Sequence, residues 1–383
     1  MTESQKRPLA LYLHVPFCRA RCLYCAFPTR PAGPTTQTGY IERLSDEILD
    51  YFKSNTGWKV ETVYVGGGTP TTLGNGDIRL LLDTVGSVAP DAKEITFEVN
   101  PLVDDMDKIP VLRENGVNRL SIGIQSFNDE ELNIIGRLHN ADESRAFIPI
   151  CRHAGFDSIS TDLIYGLPDQ TCESFERPLE ETFAFEPEHI SLYGLSVESD
   201  SRLGRLNQAQ FKGLNLPDAD SQAEMYDLAR TMLKKAGYEQ YEISNFSKPG
   251  RQCLHNLAYW SGQDYIGFGP GAASFIDGVR FTRISNVDAF LAAQRDGKNT
   301  VEYLESLSTK RAAAEALVMG LRLSCGIRRD RIETRYGIRI SDLCGEALIR
   351  FSDEGLVEMD DENIRLTERA FLVSNAIFRD LIG

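Results

Sequence analysis

The feature that most constrains the fold is an alternation of short apolar runs with helical stretches over the first two hundred residues. Helical patterns such as YIERLSDEILDYF and DIRLLLDTVGSV separate the runs. Near-continuous apolar runs are typical of parallel strands covered on both faces. Repeated strand–helix units build a parallel α/β sheet or barrel. We therefore predict an α/β fold, a partial (β/α)6 TIM-like barrel, with strands at 11–17, 62–68, 94–100, 119–126, 158–166 and 189–198.

The alternation of apolar runs and helical stretches ends at about residue 200, and the last eighty residues are mainly helical in pattern. A short hairpin, LVEMDDENIRLT, lies between the last two helical stretches, an order that resembles a winged helix. The predicted organisation is a core domain over 1–240, a connecting segment over 241–300 and a helical C-terminal domain over 301–383.

The net charge of −15 and the pI near 4.9 argue against nucleic acid as a partner, because an acidic surface repels phosphate. No apolar run approaches the ~20 residues that span a bilayer, so we predict no transmembrane segment. The chain's start, MTESQKRPLA, lacks the apolar core of a secretory signal. We expect a cytoplasmic protein.

Polar residues fall where successive predicted strands end. They are Cys18, the GGGT turn at 66–69, Glu98, Gln125 and Asp162. The carboxyl ends of parallel barrel strands share one face, and that face carries the chemistry in such folds. Asp162 also lies within an apolar run, where an unpaired charge would cost several kcal/mol. We predict that these residues line one cavity.

Cys18, Cys22 and Cys25 form a C-x3-C-x2-C cluster, whereas the other cysteines are scattered. A structural zinc site takes four ligands, and His14 is a conceivable fourth, so zinc is an alternative. A [4Fe–4S] cluster takes one thiolate per iron. Three cysteines would leave one iron open to a small molecule, which makes the cluster the preferred interpretation.

This triplet after a first strand, with GGGTPT at 66–71 after the second, resembles the radical S-adenosylmethionine (SAM) superfamily. Further motifs in order, among them E-x-N-P, I-Q-S-F, IIGRLH and DLIYGLP, resemble the group containing oxygen-independent coproporphyrinogen III oxidase and heme chaperone HemW. The resemblance implies a cluster whose open iron binds SAM. Phe27 stands where the oxidase carries a further cysteine, so the chaperone family is the better match.

The resemblance also implies the SAM contacts, and it assigns no catalytic residue. Glu98 would accept hydrogen bonds from the ribose hydroxyls, and Arg137 would suit a carboxylate. Two of the implied residues, the tyrosines, could equally be core aromatics. The full set is Tyr12, Tyr24, Gly67, Gly68, Thr69, Glu98, Gln125, Arg137, Asp162 and Leu195.

The segment HNLAYW at 255–260 resembles a motif linked to heme binding in the chaperone family. It implies His255 as a heme contact, with Cys253 as a less favoured thiolate ligand. We therefore predict a heme-binding chaperone with a radical SAM core, which needs an electron donor and delivers heme to acceptor proteins. The alternatives are a coproporphyrinogen oxidase and a radical SAM enzyme acting on another substrate.

Overall fold

A computed structural model describes residues 6–205 and 214–382 of the chain. The polar loop predicted after residue 200 lies partly outside these residues. Among the helices described, none combines the length and the apolar character that crossing a membrane requires.

The elements of the first two hundred residues alternate as predicted. Six strands carry the core: β1 (Arg7–Val15), β2 (Trp58–Gly67), β3 (Glu94–Val99), β4 (Arg119–Gln125), β5 (Ile159–Tyr165) and β6 (His189–Gly194). The helices between them are α1 (Pro34–Ser54), α2 (Asn75–Val88), α3 (Lys108–Glu114), α4 (Asp129–Ile134), α5 (Ala141–His153) and α6 (Cys172–Ala184).

The remaining strands and α-helices come after residue 205. The strands are β7 (Glu239–Glu242), β8 (Asn245–Ser247), β9 (Tyr265–Phe268), β10 (Ala273–Ile276), β11 (Val279–Arg283), β12 (Val301–Ser306), β13 (Ile327–Arg328), β14 (Val357–Met359) and β15 (Asn363–Leu366). The helices are α7 (Ala219–Lys235), α8 (Leu254–Trp260), α9 (Val287–Arg295), α10 (Thr309–Leu321), α11 (Arg329–Tyr336), α12 (Ile340–Asp353) and α13 (Ser374–Ile382).

Strands β1 to β6 pair in sequence order, every neighbour parallel, within a sheet of order β12-β11-β10-β9-β1-β2-β3-β4-β5-β6-β8-β7. Strand β9 extends the parallel part beyond β1, and the outer strands are antiparallel. The predicted partial barrel is confirmed. The segment 241–300 contributes strands to this sheet, and the division into domains stays a prediction.

The strands form because their residues are apolar and packed on both faces. β4 is buried along its whole length, and β1 is buried from Leu9 onward except at Tyr12. Helices α1, α2 and α5 cover the sheet with one apolar face each, through residues such as Leu44, Leu81 and Phe147. A sheet covered in this way presents its functional groups only at its edges.

The C-terminal region is helical, as predicted. Helices α10 to α13 pack around a three-stranded sheet of order β13-β15-β14. Strands β14 and β15 form the hairpin predicted from LVEMDDENIRLT. The helix-and-hairpin arrangement of this region is confirmed.

Helix α8 lies under the amino-terminal end of the barrel and is held there by a buried carboxylate. Glu94, the first residue of β3, accepts hydrogen bonds from the backbone N–H of Leu254 (2.9 Å) and of His255 (3.0 Å). Its carboxylate also accepts from the Cys253 thiol at 3.3 Å. A negative charge at a helix N-terminus satisfies N–H groups that lack partners within the helix. Glu94 therefore holds α8, which carries the HNLAYW motif, under the barrel.

Replacing Glu94 tests whether its carboxylate holds α8 under the barrel. Glu94→Ala leaves the N-terminal N–H groups of α8 buried without their acceptor, so we expect the free energy of unfolding to fall by about 3 kcal/mol. The matched control is Glu61→Ala, because Glu61 pairs with Lys93 at the surface, at 3.0 Å. A change below about 1 kcal/mol is expected there. Urea denaturation compares the two, and equal losses would contradict the capping role.

Candidate functional site

The three clustered cysteines lie on one loop between β1 and α1, which begins at the carboxyl end of β1. All three are partly buried. The backbone N–H of Cys18 donates to the Arg30 carbonyl at 3.2 Å, and that of Arg30 donates to the Pro16 carbonyl at 2.9 Å. These two bonds join the outgoing and returning parts of the loop, so the thiols are held over the barrel.

Burial changes the chemistry of two of these thiols. It raises the pKa of Cys18 to about 11 and raises that of Cys25, because a thiolate loses hydration there. Within 6–205 and 214–382 no three His, Cys, Asp or Glu side chains form a group that could hold a single metal ion. An iron–sulfur cluster binds its thiolates on separate irons.

The neighbours of the Gly66–Gly67–Gly68 turn at the end of β2 leave no room for a side chain. A Cβ on Gly66 would lie 2.7 Å from Cδ of Glu98, and one on Gly68 would lie 2.6 Å from the Phe17 carbonyl oxygen. Gly67 adopts a φ of +112°, and a Cβ there would meet the His14 ring at 2.5 Å. Glycine is therefore needed to bring this turn against the cysteine loop.

Glu98 points into the space above the barrel. Its carboxylate accepts a hydrogen bond from the Tyr64 hydroxyl at 2.8 Å and one from the Gly67 N–H at 3.0 Å. Burial, with a smaller contribution from the nearby Asp162 charge, raises the pKa of Glu98 to about 7 against the opposing effect of these two bonds. The carboxyl thus changes its charge near neutral pH.

A chain of contacts joins two of the cysteines. The Thr69 hydroxyl lies 3.6 Å from Cys18 Sγ and accepts from the Asn100 amide at 2.9 Å. Asn100 Oδ1 accepts from Arg137 at 2.6 Å, and the same guanidinium reaches Cys22 Sγ at 3.5 Å. Arg137 Nε is buried without a hydrogen-bond partner in the described part of the chain. Arg137 therefore has donor capacity left for an anionic group.

Gln125 and Asp162 come from β4 and β5. Gln125 adopts a φ of +69°, in the left-handed region, where the β4–β5 pairing has a bulge, and such strain at the end of a strand is typical of functional sites. Asp162 is within 3.3 Å of the Ser121 hydroxyl, and burial raises the pKa of Asp162. The predicted polar lining is present.

These side chains surround one cavity of about 630 Å³ at the carboxyl ends of the strands. It is lined by all the residues that the sequence predicted for the cluster and for SAM, except Tyr12. Tyr12 lies below, where its hydroxyl meets His14 Nδ1 at 2.9 Å. Sequence reasoning did not single out Tyr64, Ser121, Asn100 or Tyr193, which also line the cavity. Only Asn100 had a signal, its place in E-x-N-P.

The structure does not bring His255 to this cavity. The imidazole is buried near the opposite end of the barrel, with Nδ1 3.0 Å from the Thr62 hydroxyl and Nε2 3.2 Å from the Tyr259 hydroxyl. Its ring lies against Tyr64, with 5.3 Å between centroids. Burial and the Arg119 charge lower the pKa of His255 to about 3. The imidazole is neutral, and both of its nitrogens are engaged.

Comparison with known families agrees with this geometry. Residues 12–181 match the family model described as the radical SAM superfamily, and residues 307–373 match the HemN C-terminal domain. The first match contains the second half of β1, the cysteine loop and β2 to β5. The radical SAM superfamily implies a [4Fe–4S] cluster and SAM.

Individual relatives are similar over nearly the whole chain. Heme chaperone HemW of Bacillus subtilis is 33% identical over 97% of this chain and 98% of its own. Heme chaperone HemW of Escherichia coli is 35% identical over 81% of this chain and 84% of its own. Among solved structures, coproporphyrinogen III oxidase (HemN) from Escherichia coli has a TM-score of 0.86 at 25% identity, covering 99% of this chain and 91% of that one.

The glycine turn gives a test that needs no ligand. Gly67→Ala places a Cβ at a φ of +112° and against His14, so we expect a loss of about 2 kcal/mol or more in the free energy of unfolding. Gly86→Ala is the control, because Gly86 is exposed within α2 with open space around its Cβ position. Alanine should stabilise that helix by about 0.5–1 kcal/mol. Equal effects in denaturation would refute the packing requirement at Gly67.

Proposed function

Because this chain belongs to the heme chaperone HemW family, within the radical SAM superfamily, we propose that it binds heme and delivers it to acceptor proteins. The observation that carries the proposal is the match to HemW over 97% of this chain and 98% of the relative. We further propose a cytoplasmic location, and an electron donor that reduces the cluster.

Cys18, Cys22 and Cys25 would hold the [4Fe–4S] cluster. When bound, the cluster supplies one electron for reductive cleavage of the SAM sulfonium bond. The side chains present fit the group, since three partly buried thiols on one loop face a cavity that also has a guanidinium beside Cys22. Hydrogen bonds to cluster sulfurs raise reduction potentials, so Arg137 would tune this centre.

The residues around the cavity have the chemistry that SAM requires. Glu98 would accept from the ribose hydroxyls, and Arg137, with Nε unpaired among the described atoms, would bind the carboxylate. Gly67, Gly68 and Thr69 would face the methionine end. Leu195 would offer only its carbonyl to adenine, because its N–H already donates to the Tyr165 carbonyl at 2.8 Å. Tyr24 would pack on the cluster and SAM, and Gln125 and Asp162 would complete the polar lining. Tyr12 would lie below, against Tyr64.

Coproporphyrinogen oxidation is the second candidate, and the TM-score of 0.86 with HemN favours it. Two observations oppose it. The chain is more similar to HemW, at 33–35% identity, than to HemN, at 25%. It also has Phe27 where the resemblance to the oxidase leads us to expect a cysteine. We rank the chaperone function above it.

The heme contact of His255 stays a prediction, and it requires a rearrangement of the residues around the imidazole. His255 Nε2 lies 3.2 Å from the Tyr259 hydroxyl, so iron could reach this nitrogen only after Tyr259 moves away. Cys253 is fully buried, and its thiol donates to Glu94. Both groups would have to leave the closed end of the barrel to bind heme.

Anaerobic reconstitution tests the function. The full chain is loaded with iron and sulfide and reduced with dithionite, because the oxidised cluster is diamagnetic. Its paramagnetic resonance spectrum is then recorded with and without SAM, and its absorption spectrum is recorded during addition of heme. We expect a cluster signal that SAM changes and a saturable heme absorption band. A preparation that holds zinc would contradict the cluster, and one that converts coproporphyrinogen to a vinyl product would establish the oxidase instead.

The pKa of Glu98 predicts how SAM binding depends on pH. This pKa is raised to about 7, so the carboxylate that accepts two ribose hydroxyls prevails above pH 7 and is lost below it. We expect the dissociation constant of SAM to rise about tenfold between pH 8 and pH 6. Glu98→Gln should bind more weakly, with a flat profile across that range. Calorimetry on the reconstituted protein measures the dissociation constant of SAM for both chains. If the variant showed the same pH dependence as the natural chain, Glu98 would not be the group that causes it.

A further inference from the structure

Three loops meet at the mouth of the cavity and are joined by backbone hydrogen bonds. The N–H of Leu23, in the cysteine loop, donates to the Ile135 carbonyl in the loop between α4 and α5, at 2.9 Å. The N–H of Leu203, after β6, donates to the Leu23 carbonyl at 2.7 Å. The mouth is therefore one connected rim, and residues from each loop line the cavity.

Each of the three loops exposes one large apolar side chain at this rim. Phe27 is 61% exposed, Leu138 is 55% exposed and Val197 is 45% exposed. Phe27 and Leu138 line the cavity, and Val197 lies between the lining residues Ser196 and Glu198. Exposed apolar side chains gathered around a concave site mark a binding surface for an apolar group.

The same rim carries guanidinium groups without carboxylate partners among the described residues. Arg21 donates to the carbonyls of Cys25 and Asp200, at 3.2 and 3.4 Å. Arg202, which is exposed, lies 3.5 Å from the Arg21 carbonyl. The nearby Arg19 differs, because it pairs with Asp104 and Asp105. On a chain with net charge −15, two such cations favour an anionic ligand.

Carboxylates also lie at the rim. Glu198 lines the cavity and accepts a hydrogen bond from the Ser196 hydroxyl at 2.5 Å. Asp200, whose carbonyl Arg21 contacts, is a second exposed acid in the same segment. Two arginines thus balance two acids at the rim, whereas the chain as a whole is strongly acidic.

We propose that this rim, formed by Phe27, Leu138, Val197, Arg21 and Arg202, is the heme-binding site. The porphyrin plane packs against the three apolar side chains, and its propionate carboxylates pair with the two arginines. The heme then lies over the cavity that holds the cluster, at the opposite end of the barrel from His255. This inference rests on the proposed heme-binding function and specifies where the heme binds.

Heme titration of the anaerobically reconstituted full chain tests the site. Phe27→Ser with Leu138→Ser should raise the dissociation constant of heme about tenfold or more, because each apolar contact is lost. The matched control is Leu304→Ser with Ile349→Ser, two side chains that are 64% and 58% exposed on β12 and α12. Its heme affinity should equal that of the natural chain.

The charged half of the site has its own pair of variants. Arg21→Gln should weaken heme severalfold, whereas Arg43→Gln should not, because Arg43 is an exposed arginine on α1 that likewise donates to a carbonyl, that of Gly39. Val197→Ser provides a rim variant outside the cysteine loop, and it should weaken heme binding with normal cluster content. Metal-free protoporphyrin should compete with heme, since the rim binds the macrocycle and its carboxylates rather than the iron.

The outcomes separate this inference from the function on which it rests. A natural chain that binds no heme refutes the chaperone proposal and the rim site with it. A natural chain that binds heme, with rim variants that bind equally well, refutes the rim site alone. Loss of heme binding in His255→Gln but not in the rim variants would place the heme on α8.

Discussion

The candidate site depends on backbone hydrogen bonds that continue the β1–β2 pairing beyond the strands. The N–H of Gly68 donates to the Val15 carbonyl, and the N–H of Thr69 donates to the Phe17 carbonyl, both at 2.8 Å. These bonds tie the glycine turn directly to the start of the cysteine loop. Since a side chain on any of the three glycines would collide with a neighbour, the close approach of the two segments follows from residue type.

The sequence predicted the parallel half of the fold because each strand there is a local apolar run bounded by polar residues. The predicted carboxyl ends of β2 to β5 agree with the structure to within one residue, and these carboxyl ends position the site. Strand β1 begins earlier than predicted, at Arg7, where its first residues are exposed and give no apolar signal. Strands β7 to β11 were not predicted, because they have three to five residues each and depend on distant partners, as β9 depends on β1.

The motifs predicted which residues line the cavity, but they did not predict how far below its floor a residue such as Tyr12 lies. The family resemblance implies Tyr12 as a SAM contact, yet strand alternation places its side chain on the same face of β1 as His14, with the hydroxyl toward that ring, below the cavity. HNLAYW gives no indication from sequence that Glu94, some 160 positions earlier, caps its helix. Long-range contacts of this kind are set by topology, and a single sequence contains no measure of them.

Two buried histidines at the closed end of the barrel have both ring nitrogens engaged, whereas a buried arginine at the open end has an unpaired donor beside a cavity. At the closed end, His189 contacts Ser160 and Tyr241 with its two ring nitrogens, and His255 is paired in the same way. At the open end, Arg137 keeps an unpaired Nε beside three thiols, within the described residues. Buried polar groups are normally satisfied, so donor capacity left beside a cavity points to a ligand. That contrast is why we assign binding to the open end, including the rim above it.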